Sequence, residues 1–243
     1  AERQRLAAAA EAERARQAAA ELLRQRQFRG DHCTFGIDND HAAAELRKRR
    51  DSGSLKTVTH LTAVGEGFFM ARENGGSFWS NLPSALALRL VAEELNTQGA
   101  LKYVAAGADD QYYAELDKQV WWSGTCSESF AKVVKGNRTI SRVAFGQNSS
   151  WIVLFGDGGS QWEGIPTNLQ NKLRSRNKRL PKPIEVALGH NETWYVKFAD
   201  GVYDYSLPSH VADSFQDHRQ KGWKMMNVAL NSENGDWLLR FHA

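Results

Sequence analysis

Cysteine is almost absent from this chain of 243 residues: Cys33 and Cys126 are the only two. That excludes a disulfide framework, and without closely spaced Cys/His clusters it also excludes a structural zinc site. Two lone thiols fit the cytoplasm or another reducing compartment. No run of about 18 apolar residues occurs, so no membrane-spanning helix is expected. Seven histidines are scattered without a metal-hydrolase pattern, and phosphate-loop, dinucleotide and nucleophile-elbow motifs are missing. The expectation is a protein that is not an enzyme, with no catalytic, cofactor-binding or metal-binding residue. Charge of one sign is also scarce. The net charge of +3 resides entirely in residues 1–30, where seven Arg face four Glu. The remainder is balanced and lacks the basic excess that would hold a nucleic-acid backbone.

What is present is a repeat. Leu61–Gly65, Tyr103–Gly107, Arg142–Gly146 and Glu185–Gly189 read alike, and Asn227–Asn231 ends in Asn in place of Gly. The final positions lie 42, 39, 43 and 42 residues apart, a period characteristic of repeat architectures. Gly and Asn both tolerate a left-handed backbone, which is the expected reason for their recurrence. A second strand follows each, with alternating apolar residues: Tyr112/Ala114/Leu116, Trp151/Val153/Phe155, Trp194/Val196/Phe198 and Trp237/Leu239/Phe241, with Phe69/Ala71 in a degenerate first copy. Asn74-Gly75, Asp157-Gly158 and Asp200-Gly201 mark tight hairpins. A third strand then ends near Trp79, Trp122, Trp162 or Tyr205. Leu82-Pro83-Ser84, Ile165-Pro166-Thr167 and Leu207-Pro208-Ser209 open helices. The unit is strand–strand–strand–helix.

The last copy stops after its second strand, while Cys33–Ile37 and the helical pattern Ala42–Leu46 supply the missing strand and helix at the other end. Joining the two halves removes an unpaired edge. The expected fold is therefore mainly β with α: a closed five-bladed propeller-like ring over 31–243. Its units lie near 57–100, 101–140, 141–182 and 183–224, with 225–243 completed by 31–50. An open solenoid is the alternative, although polar end caps are not evident. The motif Trp-x-Val-x-Phe-x-Asp-Gly followed by Trp-x-Gly-Ile-Pro, at 151–166, resembles short Trp/Asp-Gly repeats of uncharacterised algal, oomycete and fungal proteins. The architecture is also distantly similar to five-bladed lectin propellers. That resemblance implies a fold and carries over no ligand-binding residue.

Residues 1–28 are rich in Ala and in Glu/Arg pairs spaced i,i+3, which predicts a long helix of about 40 Å at ~1.5 Å per residue. Its few large apolar residues do not encode a strong coiled coil, so its arginines, notably Arg14, Arg16 and Arg24, are candidates for contacting a partner. In the ring, Asp109, Asn148 and Asn191 occupy corresponding hairpin turns, where turn formation competes with ligand binding as their role. Trp121 and Trp122 are adjacent in a strand and face opposite sides, so one of them is a candidate for stacking on a sugar or a partner. The functional expectation is a scaffold or adaptor: the ring docks a protein partner and the helix tethers it in a larger assembly. The alternative is a lectin-like module that binds carbohydrate.

Overall fold

The computed structural model describes residues 32–73, 76–82, 84–89, 101–117, 119–176 and 181–242. The expected helix over 1–28 and the Asn74-Gly75 turn lie outside the described residues. The chain is mainly β, with five three-stranded antiparallel sheets. The first four follow one another in sequence: β2 (Val58–Val64), β3 (Gly67–Arg72) and β4 (Ser77–Ser80); β5 (Leu101–Ala106), β6 (Tyr112–Leu116) and β7 (Val120–Trp122); β8 (Ile140–Phe145), β9 (Trp151–Phe155) and β10 (Ser160–Glu163); β11 (Pro183–Leu188), β12 (Trp194–Phe198) and β13 (Tyr203–Ser206). The fifth draws on both ends of the described chain. β15 (Trp237–His242) lies between β14 (Lys224–Leu230) and β1 (His32–Gly36), and His32 is opposite Phe241 and Gly36 opposite Trp237.

Helices follow the third strands. These are α1 (Asp40–Asp51), α2 (84–89), α3 (Glu128–Val134), α4 (Thr167–Ser175) and α5 (Ser209–Gln220). Asn39 caps α1 by accepting from the Ala42 N–H at 3.0 Å, and Ser127 caps α3 by accepting from that of Phe130 at 3.2 Å. At α4 and α5, Pro166 and Pro208 occupy the cap itself and make no side-chain cap bond.

No sheet closes on itself. The sheets stand side by side, with first strands adjacent in the order β2, β5, β8, β11, β14 and then β2 again. This arrangement is compatible with a five-bladed propeller. The core is correspondingly divided into five apolar clusters, each between two neighbouring sheets. Tyr195, Phe215, Val228 and Phe241 join the fourth and fifth sheets, and Cys33, Leu238, Leu61 and Phe68 join the fifth and first, with Leu46 of α1 beneath them.

Because sheets pack on both sides, the second strands are buried on both faces, not only on the alternating face expected from the pattern. All five residues of β9 are buried, Ile152 and Leu154 against one neighbour and Trp151, Val153 and Phe155 against the other.

Two sequence assignments are corrected. Each first strand carries a β-bulge near its start, between Val58/His60, Leu101/Tyr103, Ile140/Arg142, Pro183/Glu185 and Met225/Asn227. Counted from the bulge, Val64, not Gly65, takes the place of Gly107. The partner of Ala63 is Phe68, as Trp151 is of Phe145, so Phe68 and not Phe69 fills the tryptophan position. The first hairpin is one residue shorter, which shifts the sequence alignment. The recurrent glycine also has a different cause. Gly107, Gly146 and Gly189 do not adopt positive φ. A Cβ on Gly146 would come within 3.2 Å of Leu188 Cβ in the next sheet, and one on Gly189 within 2.8 Å of Leu230 Cβ. Ser150 Oγ and Thr193 Oγ1 of their own hairpins would lie nearer still, and at Gly107 the nearest atom is Phe145 Cβ of the next sheet, so glycine is required by crowding both within the turn and between neighbouring sheets.

Candidate functional site

The bulges aim one polar residue per sheet at the same level of the assembly: His60, Tyr103, Arg142, Glu185 and Asn227. His60, Tyr103 and Glu185 link their first strands to the next one, whereas Arg142 donates to the Ser141 carbonyl of its own strand at 2.7 Å. His60 Nε2 lies 2.5 Å from the Val104 carbonyl, and Thr62 also donates to that carbonyl, at 2.6 Å. Tyr103 donates to the Val143 carbonyl at 2.6 Å and accepts from the Val143 N–H at 3.0 Å. Glu185 accepts from the Val228 N–H at 3.3 Å. Between the last and first sheets, Arg240 bridges Asn227 Oδ1, at 3.2 Å, and the Val58 carbonyl.

Within this tier lies a cavity of about 40 Å³ lined by all five first strands, His60 and Tyr103 included. It holds a few waters at most. The remaining exposure of His60 faces this narrow space, so desolvation dominates its titration and lowers its pKa to about 4, with the Val104 bond opposing and the Arg142 charge assisting. Burial raises Glu185 to about 7, against the pull of Lys197, the Val228 N–H and Arg142. Burial likewise pushes Tyr103 up to about 12. Nothing in the apolar periodicity singled out these five residues. The available signal was a polar residue recurring at one position of otherwise apolar strands.

Asp109, Asn148 and Asn191 all lie at one end of the assembly, in turns whose central residues have positive φ: Asp109 and Asp110, Asn148 and Ser149, Asn191 and Glu192. The turns touch through side chains and backbone. Gln147 Nε2 is 2.6 Å from His190 Nδ1, Gln147 Oε1 accepts from the Asn191 N–H at 2.8 Å, and the His190 N–H donates to the Asn231 carbonyl at 2.9 Å. Asn148 and Asn191 therefore sit on adjoining loops, whereas Asp109 faces the charge of Glu233. Between the third and fourth sheets these loops frame a polar cavity of about 270 Å³ that includes Gln147, Asn148, Thr167, Gln170 and Glu192.

Trp121 and Trp122 are elsewhere, on the outer strand β7. Trp121 is buried beneath Arg89, whose guanidinium carbon lies 4.4 Å from the ring centroid. Trp122 is half-buried against the cluster around Phe130. The repeated tryptophans tie sheets to helix starts: the Trp151 indole donates to Ser127 Oγ at 3.1 Å and that of Trp194 to Asn168 Oδ1 at 2.8 Å. Arg14, Arg16 and Arg24 lie outside the described residues. Cys33 and Cys126 are not bonded to each other, and burial raises the pKa of Cys126, which disfavours the nucleophilic thiolate. Among the described residues no helix is long and apolar enough to cross a membrane.

The opposite end carries a feature the sequence reading missed. Ile184 and Met226, the bulge residues of β11 and β14, are exposed, as is Val202 in the β12–β13 hairpin. Pro183 pairs with Phe198, which brings that hairpin beside the start of β11. Three exposed apolar side chains thus share one end of two neighbouring sheets. The chain matches no protein-family model and no curated protein sequence.

Proposed function

We propose that the five sheets form a closed five-bladed propeller-like ring that acts as a non-enzymatic scaffold or adaptor. The ring docks a protein partner, and residues 1–28 tether it within a larger assembly in the cytoplasm or another reducing compartment. Closure is supported by the cluster of Cys33, Leu238, Leu61 and Phe68, since five sheets sharing five interfaces leave no end. Docking is carried by the exposed group Ile184, Val202 and Met226, because grouped exposed apolar side chains mark contact surfaces.

The test is copurification of the full chain against the double variant Ile184→Asp/Met226→Asp. The variant is expected to melt like the parent and to lose partners that the parent retains. Retention of the same partners contradicts the docking surface. Removing residues 1–26 is expected to leave the melting temperature nearly unchanged and to abolish co-sedimentation with the assembly. An unfolded ring or intact co-sedimentation refutes the tether.

The polar cavity between the adjoining Asn148 and Asn191 loops favours a second reading, a lectin-like module binding carbohydrate. A glycan array distinguishes the two: binding abolished by Gln170→Leu supports the lectin, and no binding to any glycan removes it.

A further inference from the structure

A cavity of about 360 Å³ lies where β12, β13 and α5 of the fourth unit meet β14 and β15 of the fifth. Its size and lining are those of a small-molecule site, mostly apolar with a few polar groups at defined places. The wall is aromatic. Tyr195 and Tyr203 lie nearly parallel at 24° with centroids 6.3 Å apart, and Phe215 meets Tyr203 edge-on at 5.1 Å. Trp223 stands beside them. The polar lining has one sign: Lys197, Arg219 and Lys224 are all present, and no carboxylate is among the described lining residues. One carboxyl, Glu185, stands opposite Lys197 on the neighbouring strand, and Lys197 also donates to the Met225 carbonyl at 3.3 Å. Arg219 and Lys224 are exposed, so their charges belong to the mouth. Deeper in, the Tyr195 hydroxyl is buried with no hydrogen-bond partner in the protein.

We propose that this cavity binds small aromatic carboxylates, with the ring system against the half-buried Tyr203 and Trp223, over a closed floor of Tyr195 and Phe215, and the carboxylate at the mouth beside Arg219 and Lys224. These rings pack on one another and hold the aromatic faces of Tyr203 and Trp223 in place, and such faces favour a planar apolar body. A guanidinium presents its paired N–H groups to a carboxylate, and the ammonium adds a point charge. A neutral molecule of the same shape gains the walls but not the mouth, and a cation is repelled there. The inference does not rest on the docking reading, since none of Ile184, Val202 and Met226 lines the cavity, although Gly201 and Met225 place it beside them.

The experiment is calorimetric titration of the full chain with 2-naphthoate and with its neutral isostere 2-naphthamide. At low ionic strength the carboxylate is expected to bind about tenfold more tightly than the amide. That ratio is expected to collapse in Arg219→Met/Lys224→Met, whose substitutions fall on exposed positions. It is also expected to shrink for the unaltered chain when salt rises from roughly 0.02 to about 0.5 M. The salt series keeps the test decisive should the double variant fold poorly. Equal binding of acid and amide, binding of neither, or a ratio indifferent to both salt and the double substitution would overturn the proposal.

Discussion

Glu185→Gln tests the buried polar tier through its pH dependence. The folded protein holds Glu185 near 7 against an ordinary value of 4.5. Below 4.5 the carboxyl is protonated in both folded and unfolded chains, and its stabilising contribution is fully present. As pH rises toward 7 the unfolded chain releases the proton first, so stability falls, and above 7 it levels off. A shift of this size corresponds to about 3 kcal/mol at ~1.36 kcal/mol per unit, and to about 1–2 kcal/mol once solvent screening of the half-buried side chain is allowed for. His60 works in the opposite sense. Its pKa is lowered from 6.5 to about 4, so its stabilisation is present above 6.5 and is lost as pH falls through 4. The two partly cancel between pH 4.5 and 6.5. Glutamine keeps an oxygen for the Val228 N–H and removes the charge. In urea denaturation at intervals from pH 4 to 8, the variant is expected to be more stable than the parent by about 1–2 kcal/mol at pH 8. It is also expected to lose stability monotonically as the pH drops below 6.5. A variant less stable at pH 8, or one with the parent's pH profile, refutes the reasoning.

The two kinds of glycine separate packing from backbone strain. Gly189→Ala places a Cβ against Leu230 in the next sheet and is expected to cost about 2–3 kcal/mol through overpacking, whereas Gly201→Ala meets open space at φ +83° and is expected to cost about 1 kcal/mol. Chemical denaturation that finds the two equal contradicts the crowding of Gly189 by Thr193 of its own hairpin and Leu230 of the next sheet. Tyr103→Phe removes the hydroxyl that bonds both the N–H and the carbonyl of Val143, and a loss of about 1–3 kcal/mol in the same assay is expected. A neutral result shows that the bridge does not hold the second sheet to the third.

Much of the fold was legible because its causes are local. The Asp-Gly hairpins needed positive φ, and Gly158 and Gly201 adopt it at 79° and 83°. Strand and helix order followed from periodicity and from Pro and Ser/Thr at helix starts. Features that depend on a neighbouring sheet were less accessible. Ile152 and Leu154 read as the outer face of a strand until a second sheet lies against them. Gly146 reads as a turn former until Leu188 is seen to approach it. The one-residue slip in the first repeat arose because a shortened hairpin and a bulge cannot be separated by spacing alone. The aromatic cavity was hidden for the same reason: Tyr195, Phe215 and Trp223 come from a strand, a helix and the loop after it, and only packing brings them together.

The central claim is that the ring is closed by β1 against β15 and by the cluster joining the fifth sheet to the first. Deleting residues 31–50 removes that strand and nearly all of α1, and hydrogen exchange across the remaining sheets reads the consequence most directly. Closure predicts that protection falls throughout, including in β8, β9 and β10, which make no extensive contact with either deleted element, together with a lower melting temperature. Unchanged melting, or loss of protection confined to β14 and β15, would contradict closure and favour an open row of sheets.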